Sequence, residues 1–348
     1  MKKNILLTFV ASVILINLGA QSSIEKNGQS LNVITTAVPL LMIGPDARAG
    51  GMGDGGVASS PDANSMHWNP AKYSRIADDM GFSFSYTPWL RNLVNDINLA
   101  YVSFYKRINP VSTFASSLRY FSLGEITFTD NTGMPIGTYK PNEFAIDATY
   151  SRILSDKFSL AVAGRFIYSD LTQGQFVQGV ETKPGISVAA DIAMYWEDDV
   201  DWFKSMDATF AWGVNISNIG NKISYSGTNI EKDFIPTNLR IGPRLTLELD
   251  DYNSISFQVD INKLLVPTPP IYADSTNPDG SYIILKGMDP NVSPIQGMIQ
   301  SWYDAPGGFS EEMREFSFAF GTEYWYTDVL ALRGGFFYED LTKGNRKY

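Results

Sequence analysis

From about residue 80 onward, apolar and polar positions alternate with a period of two, the spacing of a strand with one apolar face rather than of a helix. Within 253–262 one face carries Ile255, Phe257, Val259 and Ile261, and the other Ser254, Ser256, Gln258, Asp260 and Asn262. Within 239–250, Leu239, Ile241, Pro243, Leu245, Leu247 and Leu249 oppose Arg240, Gly242, Arg244, Thr246, Glu248 and Asp250. Eleven such segments are expected, at about 80–87, 96–106, 111–122, 142–154, 157–169, 185–197, 206–217, 239–250, 253–262, 313–325 and 328–339. Most exceed the five or six residues common in soluble sheets and match the roughly 9–11 that a tilted strand needs to cross a bilayer. Long connections (88–95, 123–141, 170–184, 218–238, 263–312) alternate with shorter ones (107–110, 155–156, 198–205, 251–252, 326–327), as in outer-membrane barrels. Strands running toward the short turns end in Tyr105, in Tyr195 and Trp196, and in Tyr324, Trp325 and Tyr326, the expected interfacial girdle. The fold class expected is all-β, a transmembrane antiparallel β-barrel over 80–348. Bacterial single-chain barrels use even strand numbers, so about 14 strands are expected when complete, about 11 of them present here and the C-terminal ones missing.

Two segments precede the strands. Residues 1–20 have a basic start at Lys2 and Lys3, an apolar stretch from Ile5 to Leu18 and small residues at the end. They are expected to be a secretory signal peptide cut after Ala20, because the apolar stretch is short for a membrane span. Residues 21–79 do not alternate and are rich in Gly, Ala, Ser and Asn-Pro. They are expected to form an N-terminal hatch in the barrel lumen. Gly51, Gly53 and Gly56 satisfy G-x-G-x-x-G, but Ser60-Pro61-Asp62-Ala63-Asn64 follows where a dinucleotide site requires a helix of a βαβ unit. Their use is instead tight packing and turning.

Composition narrows the chemistry. The chain of 348 residues has no Cys, one His and a formal charge of −10. Disulfides, thiol nucleophiles and zinc-cysteine sites are excluded, and nucleic acid is not expected as a partner without a basic face. No cofactor, metal or catalytic group is expected. His67 reads as a hydrogen-bond donor of the hatch rather than a general base. Asp198, Asp199 and Asp201, and Asp62 with Asn64, lack the loop of a calcium-binding EF-hand and read as solvated turns. Glu143, Asp147, Arg165 and Glu248 lie on the polar face, where charges are expected to pair with one another or with the plug.

The run IGPDARAGGMGDGGVA, the stretch SMHWNPAK with Asn69, Pro70 and Ala71, and the following FSFSYTPWL closely resemble the PorV family. These are outer-membrane barrels of the type IX secretion system of Bacteroidetes, relatives of the FadL-type channels. The resemblance runs along essentially the whole mature chain to RGGFFYEDLTKGNRKY; the Asn-Pro-Ala element is shared more broadly with FadL-like hatches. It implies a 14-stranded barrel with an N-terminal hatch and a non-enzymatic role. Such proteins collect secreted cargo by its folded C-terminal signal domain as it leaves the SprA translocon. They carry it to the attachment complex of the sortase PorU with PorQ and PorZ, which links it to surface lipopolysaccharide. The hatch motif is carried here by Gly51, Gly53, Gly56, Asn69, Pro70 and Ala71.

The long connections hold the candidate contacts for cargo or partners. Trp89, Leu90, Leu93 and Val94 place apolar groups near the outer rim. The connection 263–312 begins with the proline-rich LLVPTPPIY, contributing Pro267, Pro269, Pro270, Ile271 and Tyr272, and later Trp302. An alternative function is a FadL-like channel for hydrophobic small molecules, which requires an apolar passage between hatch and wall; Gly164, Gly242 and Gly321 would mark kinks there, or simply make room for the hatch. A third, a lipid A-modifying enzyme, requires a nucleophile–His or carboxylate–His arrangement that a single histidine serves poorly.

Overall fold

The computed structural model describes residues 31–348 other than 90, 92–95, 130–131, 178–179, 204–205, 227–231 and 278–281. The expected signal peptide lies outside the described residues. In chain order the strands begin with β1 (Met80–Pro88), β2 (Asn98–Asn109), β3 (Ser112–Ser122), β4 (Ile126–Thr129), β5 (Pro135–Tyr139) and β6 (Asn142–Ser155). Next come β7 (Phe158–Asp170), β8 (Phe176–Val177), β9 (Val180–Glu181), β10 (Gly185–Asp199), β11 (Ala208–Gly220) and β12 (Asn238–Asp250). The last are β13 (Asn253–Leu264), β14 (Ile271–Thr276), β15 (Tyr282–Lys286), β16 (Phe316–Tyr326) and β17 (Leu330–Tyr338). Eleven of them form one antiparallel meander in the order β1-β2-β3-β6-β7-β10-β11-β12-β13-β16-β17, in which each strand pairs with its neighbours in sequence. The remaining strands make three small hairpins inside long connections, β4 with β5, β8 with β9 and β14 with β15. β1 and β17 do not pair with each other, so the sheet of the described residues is not closed.

The period of two becomes a division between faces. One face carries Phe82 (79% exposed), Val162 (60%), Ile146, Val188 and Phe257, matched across strands in pairs such as Phe82 with Phe104 and Ile146 with Phe166. The other carries Arg119 (1% exposed), Asp147 (0%), Arg165, Asp191 and Asp260. A water-soluble sheet buries the apolar set; here the polar set is buried.

What covers the polar face is the segment before β1. It contains α1 (Ala47–Gly50), α2 (Ser65–Trp68) and 3-10 turns at Pro39–Met42 and Pro70–Arg75. Ser103 of β2 donates to Ala63 O, Asn69 donates to Met194 O of β10, Arg48 pairs with Glu323 of β16, and Gly53 abuts Phe336 of β17. Eleven strands at about 4.8 Å spacing would spread over about 50 Å if flat. A segment this short touches both margins only because the sheet curls around it.

Three sequence expectations are corrected. Tyr105 and Tyr195 are buried on the inner face, Tyr105 against Met66, Tyr73 and Ile76, so neither belongs to an outer girdle. Trp325 also faces inward, under the Arg333 guanidinium, whereas Trp196 on the outer face meets Phe210, which meets Trp202. The strand expected from 313 begins at Phe316, because Phe309–Arg314 forms a helix, α4; it follows α3 (Pro294–Gln300) in the same connection. The three singled-out glycines divide as well. A Cβ on Gly164 would meet open space, one on Gly242 would strike the Val259 carbonyl of the next strand, and one on Gly321 would meet Met52 of the hatch at 2.8 Å. Only the last makes room for the hatch.

Candidate functional site

The hatch motif works through its backbone. Asp46 caps α1 by accepting from Ala49 N at 2.9 Å, and its second oxygen accepts from Trp68 Nε1 at 2.6 Å. Gly53 has a left-handed φ of 69°, and a Cβ there would stand 2.6 Å from Phe336 N, so both conformation and contact demand glycine. A Cβ on Gly56 would run into the Trp68 ring at 2.6 Å, whereas Gly51 has ordinary helical backbone. The amides of Gly56 and Val57 both donate to one oxygen of Asp260, at 2.7 and 2.9 Å, pinning the turn to β13.

Asn69 explains the Asn-Pro-Ala element. Its Oδ1 accepts from Ala71 N at 3.0 Å, capping the 3-10 turn in which Pro70 needs no donor. Its Nδ2 donates to Val57 O at 2.9 Å and to Met194 O at 2.8 Å, joining two hatch turns and the wall. Ala71 O then accepts from Ser151 and Ser159, each at 3.0 Å. Gly213 and Gly335, which sequence reasoning did not single out, are the wall's counterpart: a Cβ on either would collide with Val57 O or with Met52 and Gly53.

Charge is buried alongside. Arg48 holds Glu323 with two nitrogens, at 2.9 and 2.7 Å, and Asp62 at 2.9 Å. On the wall, Arg165 bridges Asp147 and Asp191, the pairing expected of these two polar-face charges; Glu143 instead takes a hydrogen bond from Ser169 at 2.6 Å, and Glu248 is exposed without an ion pair among the described residues. His67 is an acceptor rather than the expected donor: Arg119 Nη2 lies 3.0 Å from its Nδ1, and a guanidinium can only donate. Burial, then Arg119, Arg240 and Arg165, hold the imidazole pKa well below its ordinary value, so the ring is neutral. Burial also pushes the Lys72 ammonium down to about 8, with its Nζ donating to Gly56 O and Ser59 Oγ, both at 2.8 Å.

At the end bearing the long connections the contact is apolar. Val38, Leu40 and Leu41 pack with Leu99, Phe121, Ala145, Ile167, Ala189, Ile223 and Ile235. Above it lies the connection from β13 to β16. Its base is tied by Lys263 to Glu312 and Glu315, and by Lys343 to Glu311 and Glu315, all buried. Asp304, buried and near Glu312 and Glu315, has its pKa pushed up to about 6. In α3, Ser293 caps by accepting from Gln296 N, and Gly297 and Gln300 turn inward. Ile295 and Ile299, with Trp302 just beyond, stand at i, i+4 and i+7 and are exposed, as are Tyr303 and Phe309 (76%) of the same connection. An amphipathic helix ordinarily buries this stripe.

The family described as "Type IX secretion system protein PorV" matches residues 25–271. The chain is a member of the PorV family. It is thereby a type IX secretion system protein. No curated protein sequence matches it. The crystal structure of the Pseudomonas putida toluene transporter TodX aligns with 90% of this chain and 86% of that chain, at 11% identity and a TM-score of 0.42.

The matched span in this PorV-family chain covers the hatch motif but ends at Ile271, so most of the exposed connection lies beyond it. Of the candidate contacts there, Ile271, Tyr272 and Trp302 are exposed. Pro267 and Pro270 are buried and Pro269 half-buried, fixing the base of the connection rather than presenting a surface. Trp89 is half-buried against the Val38–Leu41 cluster; Leu90, Leu93 and Val94 lie outside the described residues. The stripe of Ile295 and Ile299 was missed. Its signal, apolar residues at helical spacing after Ser-Pro, was present but short.

Proposed function

We propose that the chain spans the outer membrane as a multi-pass β-barrel, with 1–20 as export signal, 21–79 as hatch and 80–348 as barrel. Within type IX secretion it receives cargo by the folded C-terminal signal domain as cargo leaves SprA. It then hands the cargo to PorU, PorQ and PorZ for attachment to lipopolysaccharide. Family membership and the inverted burial of the sheet support this placement: charged side chains are buried and phenylalanines exposed, which suits a lipid exterior. The long connections then face outward from the cell.

The observation that carries the cargo role is the stripe of Ile295, Ile299 and Trp302, exposed on a connection whose base is fixed by buried ion pairs. Exposed apolar groups on a rigid mount are what a protein contact uses. A channel for hydrophobic solutes finds less support, because the cavity of about 1020 Å³ at the opposite end is lined largely by charged and hydroxyl groups. The test is co-purification of cargo bearing its signal domain with an I299D/W302A variant. Normal barrel assembly with lost cargo and PorU recovery is expected; undiminished recovery, or normal secretion after deleting 270–300, would overturn the reading.

A further inference from the structure

The outer face of the wall changes character close to the short turns. On β2, β3, β6 and β7 that face is apolar through Val102, Phe104, Phe114, Leu118, Ile146 and Val162, and its cations are Lys106 and Arg152, both exposed. Each stands three residues before its strand ends at a short turn, Lys106 ahead of Asn109 and Arg152 ahead of Ser155. Lys106 is in register with Phe114 and Phe114 with Tyr150, while Arg152 is in register with Ser112, one row nearer the turns. A single strand separates the two cations, a lateral distance of about 10 Å. Their extended side chains can therefore reach one group between them.

Neither cation has an ion-pair partner among the described residues, although acids crowd this end. Asp79 is held by Arg107 at 3.6 Å and Asp198 by Lys157 at 2.7 Å, and Asp78 and Asp156 line the cavity on the inner face. Between the cations, Tyr150 Oη lies 2.9 Å from Ser112 Oγ and also interacts with Arg152. Two hydroxyls facing each other use one proton between them and leave the other to donate outward. A charge on a lipid-facing strand is tolerated near the interface, where a headgroup can answer it. The ligand that fits brings negative charge, several acceptor oxygens and an apolar body. A soluble anion has the first two. A phospholipid of net negative charge has all three, and a guanidinium takes its phosphate oxygens two at a time.

We propose that Lys106, Arg152 and the hydroxyl pair of Tyr150 and Ser112 form a binding site for the phosphate headgroup of an anionic glycerophospholipid, whose acyl chains lie along Phe104, Phe114 and Leu118. On the orientation proposed above, and resting on it, this lipid belongs to the leaflet that faces the periplasm.

The test uses the full-length protein in dodecyl maltoside micelles, read by native mass spectrometry after addition of phosphatidylglycerol or of phosphatidylcholine with the same acyl chains. Retention of one phosphatidylglycerol, at least tenfold tighter than phosphatidylcholine, is expected. K106Q with R152Q should weaken it at least tenfold and Y150F severalfold, while K140Q with K286Q, on the long-connection side, should leave it unchanged. Heat-modifiable migration in gels verifies that each variant is folded. Equal retention of the two lipids would make the cations plain interfacial anchors and overturn the proposal, as would equal weakening by both pairs of cation variants. Tighter binding of lipid A than of phosphatidylglycerol, or displacement of the lipid by inorganic phosphate alone, would assign the site to another phosphate and overturn it as well. Binding is read without cargo and without the two sides of a membrane, so the result stands apart from success or failure of the cargo reading and of the orientation.

Discussion

The two halves of the hatch meet the wall by different chemistry. Val38, Leu40 and Leu41 reach it through an apolar cluster near the long connections. Residues 46–75 add to the apolar contacts of Met66, Ala71 and Tyr73 a set of buried hydrogen bonds and ion pairs: Arg48 to Glu323, Gly56 and Val57 to Asp260, Asn69 to Met194. The difference is one of grading. Apolar contact weakens in proportion to the area removed, whereas a buried polar group that loses its partner incurs the whole desolvation cost. The apolar half should therefore lose stability in proportion to the side chain removed, and the polar half in steps set by each partner lost.

The largest effect should come from the charged wall behind the polar half. R165M leaves Asp147 and Asp191 buried without their cation and should cost about 3–5 kcal/mol in urea unfolding. The triple variant R165M/D147L/D191L should recover most of that loss; if it does not, the all-or-none description fails. L40A, in the apolar half, should cost about 2–4 kcal/mol through cavity formation and leave the polar half protected in hydrogen exchange. N69A should cost about 1–3 kcal/mol, since Val57 O and Met194 O each lose a donor. Loss of protection there should be confined to 56–75, and spread into 38–41 would erase the contrast.

The smallest effect is in pH. Lys72 titrates near 8 in the folded chain against 10.5 for the free side chain, so between these values the unfolded state binds more protons and stability rises with pH. Exchange protection of the polar half, corrected for the intrinsic rate, should increase modestly from pH 8 to 10, while the apolar half stays level. K72M should abolish the rise; a rise that persists would assign it to another group.

The eleven strands of the sheet were legible because each carries an unbroken alternation over many residues, and such a pattern has one local meaning. Tyr105 and Tyr195 were misplaced because aromatic character outweighed their parity: each sits in register with the buried polar set, not with Phe104 or Trp196. The hairpins β4–β5, β8–β9 and β14–β15 are too short for periodicity to register, and Met313 and Arg314, expected to open a strand, close a helix that starts after Gly308, with φ 67°. In the hatch, the motif residues were visible but their partners were not. Nothing local ties Asn69 to Met194 or Gly53 to Phe336, because the pairing exists only once the sheet has curled.

Arg48 and Glu323 are 275 positions apart in the chain. Each strand of the meander can be added beside its predecessor, a local step, but this contact requires nearly the entire sheet to be in place. The hatch, first of the described segments to be synthesised, is thus among the last to find its partners. Until then its arginine and the carboxylates of β13 and β16 must stay solvated. Closure of the Arg48–Glu323 pair is a molecular record that β16 has been laid down, written by the segment that was made first.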